Sequence, residues 1–175
     1  MPKDFGIGAS SKRREDVRFL TGKGRYTDDI NIPGQAYAAI LRSPVAHATI
    51  NALDVSAAKQ APGVLAVLTG EDVAEVGGLP CGWLIHSRDG SPMKEPKHPI
   101  LAYGKVRHVG DPVALVVAET YAQARDAAEL IEMDLSDLPA VVNMRKALSG
   151  EAAQVHEEAP GNLCYDWTFG TPQEE

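Results

Sequence analysis

The pattern of apolar positions along this chain is strongest between residues 112 and 135. Pro112 to Ala118 (PVALVVA) is a β-rich apolar run, which is typical of a strand buried on both faces. Thr120 and Gln123 follow as a capping box, with threonine at the N-cap and glutamine at the third helical position. We therefore predict a strand that leads directly into a helix.

The predicted helix runs from Tyr121 to Leu130, and Ile131 to Leu135 returns as a strand. The helix is amphipathic because its apolar and polar residues separate onto two faces. The apolar face holds Ala124, Ala127, Ala128 and Ile131, and the polar face holds Gln123, Asp126 and Glu129. The small alanine side chains let such a helix lie close to a sheet, so the stretch predicts a strand–helix–strand unit.

A shorter unit of the same kind is predicted over residues 48–68. Ala48 to Val55 alternates moderately between apolar and polar residues, as a strand does. Ser56 can cap a short helix (AAKQA) that Pro62-Gly63 stops. Val64 to Leu68 is then an apolar run of strand length. A further strand is predicted from Gln35 to Arg42.

Three segments carry no clear element pattern. Residues 1–16 are polar and are predicted to form an extended arm. Residues 18–29 contain Gly22 and Gly24 and are predicted to form a tight loop. Residues 70–104 are rich in proline and glycine, and a loop of this length is usually functional or packed against a partner.

The C-terminal segment from Asn162 to Phe169 alternates with a period of two. Leucine and three aromatic residues, Leu163, Tyr165, Trp167 and Phe169, share one side of the pattern. Such a pattern predicts a half-buried strand. Two interpretations remain open, because the apolar side can pack on its own domain or cross to another domain or a partner.

Composition narrows the function classes. The 175 residues are 44% hydrophobic and 23% charged, which is typical of a globular protein. The net charge of −7 disfavours binding to nucleic acid or to an anionic membrane. We interpret the basic residues of the 12–18 segment as a surface or interface arm. The first residues lack the apolar core of a secretory signal, and we expect a cytoplasmic protein.

Neither the cysteines nor the glycines form a recognised motif. Cys81 and Cys164 lack CxxC spacing, and we predict two free thiols, with a disulfide as the alternative. The Gly6–Gly8 and Gly22–Gly24 pairs lack a third glycine and a preceding strand, so we interpret both as turns rather than as phosphate-binding loops.

The histidines, acids and serines do not form a catalytic or metal-binding pattern either. The histidines lack HxH and HxxxH spacing, which disfavours a local metal site; they are His47, His86, His98, His108 and His156. His47 can act as an acid or base, or it can bond the backbone at a strand end.

The adjacent acids and the serines have simpler interpretations. We interpret the pairs Asp28-Asp29 and Glu157-Glu158 as capping or solvated residues, because neighbours in a strand point to opposite faces. The serines lack the context of a nucleophile elbow; they are Ser10, Ser11, Ser43 and Ser91. From the residues alone we predict no catalytic, cofactor-binding or metal-binding residue.

Several segments together resemble a known enzyme family. They are residues 15–29 (EDVRFLTGKGRYTDD), 42–50 (RSPVAHATI), 62–70 (PGVLAVLTG) and 106–114 (VRHVGDPVA), with further agreement at 118–120, 127–129 and 138–142. In order and spacing across residues 14–170, the sequence resembles the N-terminal α/β-hammerhead domain of the molybdenum-binding large subunit of the xanthine dehydrogenase, aldehyde oxidase and aerobic carbon monoxide dehydrogenase family.

The resemblance implies an α+β fold built from strand–helix–strand units with a long irregular loop. It also implies a division into an N-terminal arm over residues 1–13 and a hammerhead domain over residues 14–150. Residues 151–175 would form a terminal strand that leads towards a molybdopterin-binding domain outside this chain.

The same resemblance implies a scaffold and subunit-contact role within an enzyme that oxidises carbon monoxide, an aldehyde or an N-heterocycle. The molybdenum cofactor would lie in the remainder of the large subunit, and FAD and [2Fe-2S] clusters in partner subunits, with none in this piece. A stand-alone binding or assembly module is the alternative, and a small enzyme that uses His47 is a third interpretation.

Overall fold

A computed structural model describes residues 6–10 and 12–170, and the chain divides into two units after Gln35. In the first unit, helix α1 spans Asp16–Leu20 and a 3-10 turn spans Thr27–Asp29. Phe19 stacks on Tyr26 with 5.4 Å between ring centroids. The prediction of a loop throughout residues 18–29 is wrong at both ends, because local hydrogen bonds and this ring contact favour short helical turns.

In the second unit, residues 36–170 as described contain three β sheets and three further α-helices. The strands are β1 (Tyr37–Arg42), β2 (Ala48–Asp54), β3 (Val64–Thr69), β4 (Gly78–Leu79), β5 (His98–Pro99), β6 (Lys105–Val106), β7 (Pro112–Ala118) and β8 (Glu132–Asp137). The helices are α2 (Ser56–Gln60), α3 (Tyr121–Glu129) and α4 (Met144–Ala147). These elements confirm the predicted α+β class and both predicted strand–helix–strand units.

Each strand–helix–strand unit connects two different sheets. The first sheet has the order β1-β7-β3 and the second has the order β6-β2-β8, with antiparallel pairing throughout. The chain therefore passes from the second sheet through α2 to the first, and from the first sheet through α3 back to the second. Strands β4 and β5 form a separate two-stranded ladder.

Strand β7 is the centre of the fold because its two faces contribute to two apolar clusters. Ala114, Val116 and Ala118 belong to the cluster that packs against α2 and α3. Val113 belongs to a second cluster with Ala48, Ala102 and Val106. The prediction that this strand is buried on both faces is confirmed, although both of its neighbours are antiparallel to it.

Helix α3 follows the predicted pattern closely. The Thr120 hydroxyl oxygen accepts the backbone N–H of Gln123 at 3.2 Å and donates to the Gln123 side chain at 2.8 Å. Ala124, Ala127 and Ala128 are buried, as predicted from the helical period. Their short side chains allow the helix to approach the first sheet.

Helix α2 begins one residue earlier than predicted, and Ser56 is not its N-cap. Ser56 is the first helical residue, and Asp54 Oδ1 accepts both its backbone N–H at 2.8 Å and its hydroxyl at 2.5 Å. The hydroxyl bond and then the backbone bond lower the pKa of Asp54. A carboxylate can accept both donors at once, which explains why it takes the capping role.

Residues 70–104 are mostly irregular, as predicted, and they are held by close backbone approaches. A Cβ at buried Gly70 would lie 2.7 Å from the carbonyl oxygen of Ala102 and 2.8 Å from that of Leu101. Within the same stretch, residues 85–93 form a small hairpin, in which the Met93 N–H donates to the Ile85 carbonyl at 3.0 Å.

The predicted strand at residues 162–169 is wrong, because the structure has no strand there. The segment instead makes isolated hydrogen bonds to the 85–93 hairpin and the residue after it. The Arg88 N–H donates to the Asp166 carbonyl at 2.8 Å, and the Lys94 N–H donates to the Cys164 carbonyl at 2.9 Å. The residues between Arg88 and Lys94 turn back within the hairpin, so they cannot form a continuous ladder with the tail.

Candidate functional site

The connection between β1 and β2 contains buried polar residues. Ser43 is buried, and its hydroxyl donates to the Val45 carbonyl at 2.8 Å and accepts the Val45 N–H at 3.2 Å. These bonds hold the turn around Pro44. The Ser43 hydroxyl is therefore occupied by local backbone, which is a structural role.

His47 ends this connection, and the fold ties it to the segment after β8. Its ring Nδ1 lies 3.0 Å from the Pro139 carbonyl oxygen, and its own carbonyl accepts the Leu138 N–H at 2.9 Å. Because a carbonyl only accepts, Nδ1 carries the hydrogen. His47 is 5% exposed, and its Nε2 has no hydrogen-bond partner among residues 6–10 and 12–170. The expected backbone bond at a strand end is present.

Asp111 closes the turn that precedes β7. Its Oδ2 accepts the Arg107 N–H at 2.9 Å and lies 3.6 Å from His108 Nδ1. Its backbone carbonyl accepts the Ser43 N–H at 2.8 Å. The motifs RSPVAHA and VRHVGDPVA, distant in sequence, therefore meet as one polar junction beside the first sheet.

A cavity of about 230 Å³ extends from this junction. Its charged and titratable lining residues are Lys97, Tyr103, Arg107, His156 and Glu158. Arg107 Nε donates to the Val155 carbonyl at 3.1 Å, which fixes the segment that carries His156. Burial and then the positive charge of Arg107 lower the pKa of His156 below its usual value of 6.5.

The described residues do not fit a metal centre. No group of three or more His, Cys, Asp or Glu side chains within residues 6–10 and 12–170 is placed to hold a metal ion. At the polar junction the Ser43 hydroxyl, His47 Nδ1 and Asp111 Oδ2 bond to backbone groups rather than converging on a shared point.

The remaining histidines and acids lie in several places. The rings of His98 and His108 approach to 6.3 Å between centroids, a proximity that the sequence did not indicate. His86 is exposed in the 85–93 hairpin. Asp29 accepts the Tyr26 N–H at 2.8 Å, and Glu157 lies 3.7 Å from Lys105, as capping and solvated residues do.

The other predicted residues also have local roles. The Ser91 hydroxyl donates to the Asp89 carboxylate at 2.6 Å, Ser10 is exposed and Ser11 lies outside the described residues. Both cysteines are free thiols, as predicted. Gly6, Gly8 and Gly22 have positive φ, as their interpretation as turns requires. A Cβ at Gly24 would lie only 2.6 Å from the Phe19 ring, so this position favours glycine.

Sequence reasoning missed Asn162. Its side chain accepts the Val155 N–H at 2.9 Å and donates to the carbonyls of Ala147 and Ala153 at 3.1 and 3.0 Å. Its φ of 57° lies in the left-handed region that asparagine tolerates. The Pro160-Gly161-Asn162 sequence was the available signal, because this combination is typical of turns.

Residues 21–139 match the family described as aldehyde oxidase and xanthine dehydrogenase, a/b hammerhead domain. The chain belongs to this family. The match includes both motifs of the polar junction and both strand–helix–strand units.

Relatives in the family are much longer than this chain. The nicotine 6-hydroxylase large subunit of Paenarthrobacter nicotinovorans is 40% identical over 158 residues, which are 90% of this chain and 19% of the relative. The carbon monoxide dehydrogenase large chain of Afipia carboxidovorans is 38% identical over 87% of this chain and 18% of its own length. The xanthine dehydrogenase molybdenum-binding subunit of Escherichia coli O157:H7 is 34% identical over 91% of this chain and 21% of its own length.

Solved structures agree with the fold. Quinoline 2-oxidoreductase from Pseudomonas putida 86 is 44% identical to this chain and superposes with a TM-score of 0.68. The match covers 87% of this chain and 19% of the quinoline 2-oxidoreductase chain. The chain thus spans about a fifth of the proteins it matches. Within residues 6–10 and 12–170, we find no helix with the length and apolar character needed to cross a bilayer.

Proposed function

We propose that this chain is the hammerhead domain of a molybdenum hydroxylase large subunit and acts as a scaffold without catalytic residues of its own. The observation that carries the proposal is the polar junction, where Ser43, His47 and Asp111 are buried and bonded to backbone. A catalytic group must reach a substrate atom. His47, which is 5% exposed and whose ring is held by the Pro139 carbonyl, instead stabilises the connection between two sheets.

The proposal places the chemistry in the rest of a longer assembly. That assembly would oxidise carbon monoxide, an aldehyde or an N-heterocycle, with the molybdenum cofactor in the remainder of the large subunit. FAD and [2Fe-2S] clusters would lie in partner subunits. We also propose a cytoplasmic location, which the two free thiols support.

A chimera tests the scaffold role. This chain replaces the matching segment of quinoline 2-oxidoreductase, with which it shares 44% identity. We expect the chimera to assemble and to oxidise quinoline in a dye-linked assay, while the 175-residue chain by itself gives no turnover with quinoline, an aldehyde or carbon monoxide.

Two outcomes would contradict the scaffold role. Turnover or tightly held molybdenum in the 175-residue chain alone would show that the chain carries its own chemistry. A well-folded 175-residue chain whose chimera neither assembles nor oxidises quinoline would favour the stand-alone binding or assembly module.

A further inference from the structure

An apolar groove lies between the irregular 81–93 segment and the tail. It has a volume of about 270 Å³. Its lining is entirely apolar, aromatic or sulfur-containing and consists of Cys81, Trp83, Ile85, Met93, Tyr165 and Trp167. We refer to these six residues as the aromatic groove.

The large side chains around the groove are open to solvent. Trp83 is 75% exposed and Phe169 is 92% exposed, with the Phe169 ring 5.9 Å from that of Trp167 between centroids. Exposed aromatic surface of this kind is costly in water, and in folded proteins it usually marks an interaction site. Trp and Tyr are also the residues that contribute most to binding energy at protein interfaces.

The polar groups next to the groove already have partners. Arg88 Nε donates to Asp166 Oδ2 at 3.0 Å, and the Glu95 carboxylate accepts the Cys81 N–H at 3.0 Å. The surface thus has an apolar centre with a satisfied polar edge, which is the usual anatomy of a protein interface. It suits an apolar polypeptide segment better than a charged ligand.

Building on the proposed function, we propose that the aromatic groove is the surface on which the remainder of the large subunit docks, through an apolar or aromatic segment. The length of the relatives favours a segment of the same subunit as the occupant of the groove. This chain matches only 19% of the nicotine 6-hydroxylase large subunit and 18% of the carbon monoxide dehydrogenase large chain. In these two relatives about four-fifths of the polypeptide lies outside the segment that this chain matches, and neighbouring domains of one chain form interfaces with each other. The groove lies outside both strand–helix–strand units, and its aromatic side chains are left uncovered.

Labelling in the chimera tests this surface. Cys81 is alkylated with iodoacetamide and Met93 is oxidised with peroxide, in the 175-residue chain and in the assembled chimera, with peptide mass spectrometry as the readout. We expect both reactions to slow by about tenfold in the chimera, because a covered side chain reacts only when the interface opens. Met144, which is 84% exposed and lies outside the groove, is the internal control and keeps its rate.

A pair of variants provides the second arm. Trp83→Ala in the chimera is expected to lower the yield of assembled, quinoline-oxidising enzyme by about tenfold, as loss of a central aromatic anchor does. Met144→Ala is the matched control on an equally open side chain and leaves the yield unchanged. Because both side chains are exposed in this domain, neither substitution should unfold it.

The possible failures can be told apart. An active chimera in which Cys81 and Met93 react as fast as in the free chain overturns the docking surface and leaves the proposed function standing. If alkylation of Cys81 in the free chain slows as its concentration rises, together with a dimer in light scattering, the occupant is a second copy and the inference is wrong. A folded chain whose chimera does not assemble contradicts the proposed function itself.

Discussion

At the scale of single residues, the environment rather than the residue type decides what each polar side chain does. His47 and His156 are both histidines in the same region, but one is fixed by the Pro139 carbonyl and the other lines a cavity beside Arg107. Nothing in the local sequence distinguishes them. The difference has a measurable consequence for His156, because its environment disfavours the charged imidazolium.

The lowered pKa of His156 predicts a specific pH dependence of stability. As the pH falls through about 6.5, the unfolded chain takes up a proton that the folded chain resists. The free energy of unfolding should therefore fall with pH until the folded pKa is passed. Urea titrations of the wild type and His156→Gln between pH 7.5 and 4.5 measure this effect. The wild type should lose stability relative to the variant, and parallel profiles would contradict the prediction.

At the scale of elements, the close packing of α3 depends on its alanines. Ala124 and Ala127 are completely buried against the first sheet, so the helix axis lies where only a methyl group fits. The Thr120 cap fixes where this helix begins, and the alanine period fixes which face is buried. Both features are local, which is why this element could be predicted well.

Enlarging a buried alanine should destabilise the domain. Ala127→Leu inserts three carbon atoms into a filled space and is expected to lower the free energy of unfolding by about 1–3 kcal/mol. Ala122→Leu on the exposed side of the same helix is the matched control, with an effect within about 0.5 kcal/mol. Urea unfolding followed by circular dichroism measures both variants. Equal effects of the two substitutions would show that α3 is not packed as described.

At the scale of the whole molecule, the two three-stranded sheets are connected twice by crossovers and share packing. Leu53 contacts both apolar clusters, and β7 contributes to each of them. Contacts between segments that are distant in sequence therefore hold the second unit together. We expect the two sheets to unfold as one cooperative unit.

A substitution in the first sheet should consequently loosen the second. Val116→Ala removes two methyl groups from a fully buried position, and we expect a loss of about 1.5–3 kcal/mol. Hydrogen exchange should show the same loss of protection in β2 and β8 as in β1 and β3. Val142→Ala, at an exposed position, should change neither sheet. Retained protection in β2 and β8 would mean that the sheets unfold separately.

Elements that depend on neighbouring residues could be predicted from the amino-acid pattern alone. The apolar run of β7, the Thr120 cap and the alanine face of α3 are all written within about twenty consecutive residues. The family could also be predicted, because its motifs keep their order and spacing along the chain, and the match over residues 21–139 confirms it. Local hydrogen bonding and side-chain periodicity need no information from elsewhere in the chain.

What distant segments do together depends on long-range contacts that the fold establishes. The fold assigned the strands of each unit to different sheets, and it joined Ser43 to Asp111 and His47 to Pro139. It also left residues 162–169 without a strand, although their alternation predicted one, because the hairpin beside them turns back on itself. A strand requires a partner with a matching line of donors and acceptors, and that partner is set by the fold rather than by the segment's own pattern.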